Sequence, residues 1–199
     1  MYVGNLIEDD IDLPRLREVL GGLGHIGRVE TIRKWDGRTQ ARLYEAAKGF
    51  MPVTLGTYVP DGTGPLIEVI HHGKNSLPAF THFQKRFCKP KEGASQEELW
   101  GYNHSGAHIT GPVGPGYFVV HGAPDDGEID IDYTRLPSAK PDGWPTILPN
   151  DSRLSRFVYN GLVDRMRAIS SHVTIGRGMK GKEFFDAWFV LCREDPKPA

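Results

Sequence analysis

Eight histidines, His25, His71, His72, His82, His104, His108, His121 and His172, are the side chains best suited by type to move a proton or hold a metal. His104 and His108 are separated by three residues, but Ser105-Gly106-Ala107 between them and Thr110-Gly111-Pro112 after them favour a loop. A loop lacks the helical geometry that makes such a pair a zinc signature, and no glutamate follows His104 to complete H-E-x-x-H. We therefore expect no metal and no cofactor. In Glu128-Ile-Asp-Ile-Asp-Tyr133, strand alternation puts Glu128, Asp130 and Asp132 on one face and Ile129, Ile131 and Tyr133 on the other. The acidic face is either a solvated exterior or the polar inside of a barrel. In the second case a carboxylate would work against His121 on the paired strand as an acid–base couple. Register decides between them, and a one-residue slip exchanges the faces.

His71-His-Gly-Lys-Asn-Ser76 gathers two imidazoles, Lys74 and a serine after an apolar strand, as a ligand-binding barrel mouth would. It has no G-x-S-x-G elbow, so Ser76 is not read as a nucleophile. Gly111-Pro-Val-Gly-Pro-Gly116 has two prolines where a phosphate loop needs backbone donors, which argues against a nucleotide cradle. The basic stretches 84–87 and 152–156 read as surface. Four tryptophans, seven tyrosines and nine phenylalanines mostly fill core, and some must line any interior cavity.

Positioning these groups falls to a chain of 199 residues, one domain's worth, with 24 Lys+Arg against 25 Asp+Glu. That balance gives no reason to expect nucleic acid or an anionic membrane as partner. No apolar run is long enough to span a bilayer and the start is acidic, so the expectation is a soluble, cytoplasmic protein. Cys88 and Cys192 are too few for a disulfide framework and read as core.

Asp12 is placed to cap a helix with Leu13, Leu16, Val19, Leu20 and Leu23 at helical spacing, stopped by Gly21-Gly22. Residues 29–35 have the branched side chains of a strand, and 38–50 predict a helix ended by Gly49 and Pro52. Residues 1–52 thus form an N-terminal helical arm, and 53–199 an antiparallel β-barrel domain. Strands are predicted over 66–72, 98–104, 116–122, 128–136, 171–177 and 184–193, with hairpins at Ala123-Pro-Asp-Asp-Gly127 and within 176–182. In the last strand, Phe185, Ala187, Phe189 and Leu191 share one face, and Phe184, Trp188, Val190 and Cys192 the other. One face would coat a core and the other a pocket. The proline-rich stretch 136–152 is a long loop crossing the sheet or covering a barrel mouth. Residues 154–169 read as a helix, with a strand followed by a helical turn as the competing assignment.

The segment His82-Phe-Gln-Lys-Arg-Phe-Cys-Lys-Pro90 resembles the W-x-G-K-x-F segment of lipocalin-like (calycin-type) bacterial barrel proteins, including the GXWXG family. Residues 157–193 are similar to their C-terminal pattern, and Ile131–Pro137 fits the strand before it. The similarity covers roughly the last 120 residues. His82 and Gln84 stand where the pattern has Trp and Gly, whereas Lys85, Phe87, Asp164, Arg167 and Gly176 match it. The resemblance implies an antiparallel barrel around a mostly apolar cavity, used to carry small hydrophobic molecules and sometimes to isomerise, cyclise or decarboxylate them.

Two functions follow. In the first, the mainly β, lipocalin-like barrel binds a small, largely apolar molecule, with Trp100, Tyr102, Phe118, Tyr133, Tyr159, Arg167, Trp188 and Phe189 as its contacts. In the second, it is an enzyme of the isomerase, cyclase or lyase kind on the same scaffold. There His121 or His108 is the general base, Asp132 orients it, and Lys74 or Arg167 stabilises an enolate or phenolate. The enzyme requires at least two ionisable side chains buried within reach of each other and of the cavity. A third reading is an accessory subunit whose arm and aromatic strands form an oligomer interface, with a homodimer as the expected assembly.

Overall fold

A computed structural model describes residues 6–7, 10–78, 81–104, 114–125, 127–152 and 154–196. Eight strands run in sequence order as an antiparallel meander: β1 (Val69–Asn75), β2 (His82–Cys88), β3 (Leu99–His104), β4 (Tyr117–Gly122), β5 (Ile129–Asp132), β6 (Leu162–Ala168), β7 (Val173–Lys180) and β8 (Glu183–Arg193). β1 pairs with β8, so the sheet closes into a barrel with no free edge. This is the expected mainly β barrel with N-terminal helices. No helix among the described residues is long and apolar enough to cross a membrane.

The arm comprises α1 (Leu13–Gly22), α2 (His25–Arg33) and α3 (Gly37–Ala46). Asp12 caps α1 by accepting from the Arg15 amide at 2.9 Å, and Asp36 caps α3 through the Thr39 amide at 2.8 Å. Residues 29–33 are helical rather than the expected strand. Arg28, Val29 and Ile32 fall on one helical face and are buried, so tertiary packing outweighs the local preference of Val29, Thr31 and Ile32 for extended backbone. The arm's leucines, Ile32, Trp35 and Tyr44 pack against Ile175, Val190 and Cys192, which cover the outside of β7 and β8. Residues 136–152 cross the opposite outer wall, where Trp144 packs on Tyr102 at 4.8 Å between ring centres and donates to Glu68 at 2.6 Å.

Both hairpins form as expected, although β7 runs through Lys180, three residues past 177, before the turn at Gly181. Two strands escaped the primary reading. β2 lies in a stretch whose sequence reads as basic surface, and β6 occupies the second half of the stretch that reads as a helix, of which only α5 (Ser155–Val158) is helical.

Inside, Phe87, Leu99, Phe118, Val120, Ile131, Met166 and Leu191 form a packed core. It is closed at one end by Val53, Tyr58 and Val59, around the short helix α4 (Leu55–Tyr58). Arg193 holds that plug by donating to the carbonyls of Gly56 and Thr57 at 3.1 and 2.8 Å. His71 faces inward there, bonded through Nε2 to the Tyr58 carbonyl at 3.0 Å and set against Phe87. Burial pushes its pKa down to about 3.

His71 is therefore neutral in the native state wherever an unfolded chain would protonate it, and acid favours unfolding. Above the ordinary histidine pKa it is neutral in both states and contributes no pH dependence. As pH falls from about 6.5 toward 3, stability should drop with a slope approaching about 1.4 kcal/mol per pH unit from this group alone. Urea titrations should show that component missing in His71→Asn. Equal slopes in both proteins would remove His71 as the cause.

Candidate functional site

The strand period sets which side chains meet inside. β2 sends Phe83, Lys85 and Phe87 inward, β3 Gly101 and Asn103, and β6 Leu162, Asp164 and Met166. Three inward glycines stand directly opposite phenylalanines across the ladder: Gly73 to Phe83, Gly101 to Phe118 and Gly176 to Phe189. A Cβ at any of the three would come within 2.5 Å of the facing ring, and at Gly101 also within 2.5 Å of the Arg86 carbonyl oxygen. Each ring thus lies across the backbone opposite it.

Those three rings and Tyr133 surround the Lys85 ammonium, at 5.8 Å for Phe83, 5.3 Å for Phe118, 5.0 Å for Tyr133 and 4.9 Å for Phe189. Nζ donates to Asn103 Oδ1 at 2.9 Å, to Asp164 Oδ2 at 3.1 Å and to the Tyr133 hydroxyl. All three ammonium protons have acceptors. Asn103 Nδ2 donates to the Tyr133 hydroxyl at 3.0 Å, and Tyr159 stacks on the Tyr133 ring with centres 5.1 Å apart. Lys85 is 3% exposed and Asp164 4%. Burial lowers the Lys85 pKa and raises that of Asp164, with their mutual attraction opposing both shifts. Burial likewise raises the Tyr133 hydroxyl well above its ordinary value. Three ionisable groups perturbed by burial and by one another at the floor of a cavity mark a candidate functional site.

Above this floor opens a cavity of about 250 Å³, lined by Phe83, Lys85, Asn103, Tyr133, Tyr159, Leu162, Asp164, Phe185, Ala187 and Phe189. Two features keep it open. Gly178 on β7 presents no side chain to it, and the β7–β8 register jumps between Arg177 and Met179, so Phe185, Asp186 and Ala187 stand opposite one residue and the wall bows there. The rim is apolar and exposed at Leu77, Val158 and Phe185. A larger hollow of about 570 Å³, between residues 60–70 and the tail 194–196, lies outside the barrel and is lined in part by the carboxylates of Glu68, Glu194 and Asp195.

Of the residues singled out from sequence, Phe118, Tyr133, Tyr159 and Phe189 meet around this cavity. Trp100 and Tyr102 do not, for alternation turns them to the outer wall beneath Trp144. Trp188 borders the cavity rim, with its ring outward against Arg177 at 5.0 Å. Arg167 also faces out, bonded to Glu128 at 2.6 Å and lying over the Tyr44 ring. His121 and Asp132 do form a couple, with Nε2 3.5 Å from Oδ2, but on the outer wall, because Ile131 and Tyr133 take the inner one. The Asp132 bond raises the His121 pKa. Burial alone would raise that of Asp132, yet hydrogen bonds from His121 and Thr134 hold it below the ordinary range. Lys74 alternates outward with His72, and His108 lies outside the described residues. The acidic face of β5 is external but not solvated, since Asp130 and Glu128 are buried in pairs with Arg165 and Arg167.

Residue type and spacing alone do not mark Lys85, Asn103 and Asp164 as site residues. Lys85 and Asp164 stood only among the positions matching the barrel-family pattern. The available signal was Phe-x-Lys-x-Phe in β2, a cation on an otherwise apolar strand face. No family model, curated protein or solved structure matches this chain. Fold and site together define a closed eight-stranded antiparallel barrel, plugged at one end and hollow at the other, a form compatible with ligand binding.

Removing one partner of the buried pair leaves the other charge uncompensated. Lys85→Met should cost about 3–5 kcal/mol by urea denaturation, and Lys85→Met/Asp164→Leu should recover most of the loss. Additive losses would show that the two side chains are uncoupled. Gly101→Ala should be destabilising by at least about 1–3 kcal/mol, because Phe118 and a backbone carbonyl both bar the new methyl.

Proposed function

We propose that this barrel binds a small, largely apolar molecule through its open end, with the ligand's polar group turned down onto Lys85, Asn103, Tyr133 and Asp164. The observation that carries this reading is the cavity itself, with aromatic walls, hydrogen-bonding groups confined to its floor, and an exposed apolar rim at its entrance. At about 250 Å³ it suits a compact ligand, just under the roughly 300–1,000 Å³ of common small-molecule pockets. The similarity to lipocalin-like barrel proteins points the same way.

Catalysis on the same scaffold is the second reading, and one observation favours it. Three ionisable groups, Lys85, Tyr133 and Asp164, lie within hydrogen-bond reach of one another at the cavity floor. An acid–base step on an enolisable or phenolic ligand would then use Asp164 and Tyr133, with Lys85 stabilising the oxyanion, rather than His121 and Asp132.

Filling the cavity separates ligand binding from fold. Ala187→Phe should weaken binding of an anilinonaphthalene fluorophore by about tenfold or more, which is about 1.4 kcal/mol, while leaving the melting temperature within a few degrees. Undiminished binding in that variant would overturn the cavity as the site. For the catalytic reading, enolisable carbonyl compounds are incubated in D2O and followed by NMR. Exchange by the parent that is lost in Tyr133→Phe supports it, and no exchange by the parent rejects it.

A further inference from the structure

A second cluster lies on the outside of the barrel, away from the cavity, and does not depend on the ligand-binding reading. His25 is the first residue of α2, His72 points outward from β1, and Glu194 follows the end of β8. One ligand atom from each, two imidazole nitrogens and a carboxylate oxygen, lie within 4.8 Å of one another. His72 Nε2 is already 2.7 Å from Glu194 Oε1, and the two imidazole rings are 5.1 Å apart, tilted by 52° rather than stacked. His25 Nδ1 is buried without a hydrogen-bond partner. A buried ring nitrogen left without a partner calls for an explanation.

We propose that His25, His72 and Glu194 bind one divalent transition-metal ion of the zinc class. Two imidazoles and a carboxylate are a ligand set that zinc accepts, with a fourth position left for water or another ligand. Tetrahedral ligand atoms about 2.0–2.2 Å from zinc stand roughly 3.3–3.5 Å apart, so the present cluster needs adjustments on the order of an ångström or less. Each ligand sits on an anchored segment. The β1–β8 ladder holds His72, the Glu194 amide donates to the Ile70 carbonyl at 2.9 Å, and α2 is fixed by Arg28 bonding to Asp195 and to the Leu23 carbonyl. Those bonds also commit the Arg28 guanidinium to Asp195, while the Glu194 carboxylate pairs with His72, itself one of the proposed ligands. Bound metal would staple the helical arm to the barrel wall and to the chain that follows β8.

No sequence motif announces this site, because His72 and Glu194 are 122 residues apart and only closure of β8 onto β1 unites them. Motif spacing along the chain argues against a metal because it is blind to ligands that only the closed barrel brings together.

The test uses the full, tag-free chain stripped with chelator, titrated with ZnCl2 by calorimetry and with Co2+ by visible absorption. We expect one ion per chain and the d–d bands of a nitrogen- and oxygen-ligated low-symmetry site. Zinc at hundredfold saturation should raise the melting temperature by roughly 5–10 °C. His25→Ala, at a half-exposed helix start where folding is readily checked by circular dichroism, and His72→Ala should each weaken binding. The loss should at least match the about 10–100-fold that removing an outer partner costs. His82→Ala, at the far end of β2, should bind as the parent does. The proposal fails if the parent takes up no stoichiometric zinc at micromolar concentrations, or if folded His25→Ala binds as tightly as the parent. Equal loss in His82→Ala would also overturn it.

Discussion

A lysine ammonium deprived of water is the constraint around which the open half of the barrel is arranged. Lys85 is admitted only because three acceptors take its three protons and aromatic faces surround what remains. Three of the four rings that do so are phenylalanines that could not lie against the sheet if their cross-strand partners carried a Cβ. The glycines at 73, 101 and 176 sit on three different strands, yet serve one purpose. They let rings fold over the backbone and gather around the Lys85 ammonium.

That arrangement also explains which parts of the molecule could be read from the chain. Strands β4, β5, β7 and β8 announce themselves because one or both of their faces are apolar and their turns carry Gly, Pro and Asp. β6 does not, since charge falls on both faces: Asp164 inside, Arg165 and Arg167 outside. Its period-two signal is erased, and Val158, Leu162 and Met166 then mimic a helical stripe. β2 is hidden for a related reason, as Lys85 interrupts the apolar face between Phe83 and Phe87. The charged pair of the floor, Lys85 and Asp164, therefore lies on the two strands whose patterns it disrupts. The His121–Asp132 couple is legible because a short hairpin joins their strands and sets them on the same face as diagonal neighbours, His121 standing opposite Asp130, two residues from Asp132. Which wall it occupied depended on the register of every strand beside it.

Both walls of the barrel carry apolar residues, and the outer layers account for it. The helical arm covers β7 and β8, while the loop bearing Trp144 covers β3 and β4, so those strands are buried on both sides. Between these covers, β5 and β6 meet the exterior through buried Arg–carboxylate pairs. The interior is equally divided along its axis. Toward α4 it is filled by aliphatic and aromatic side chains, and toward β8's bowed segment it is left hollow.

A buried ion pair is a poor way to stabilise such an interior. Taking an ammonium and a carboxylate out of water costs several kcal/mol each, and well-packed apolar residues of similar size are often at least as stabilising in the same space. The packed end of this lumen shows that the chain can fill itself with Leu99, Val120, Ile131 and Leu191. At the hollow end it instead places Lys85 and Asp164 where burial opposes both charges, and roofs them with an accessible cavity whose rim is greasy rather than sealed. A fold optimised for stability alone would do neither. That cost fits the proposed reading, in which the polar floor meets a group entering from outside past the apolar rim.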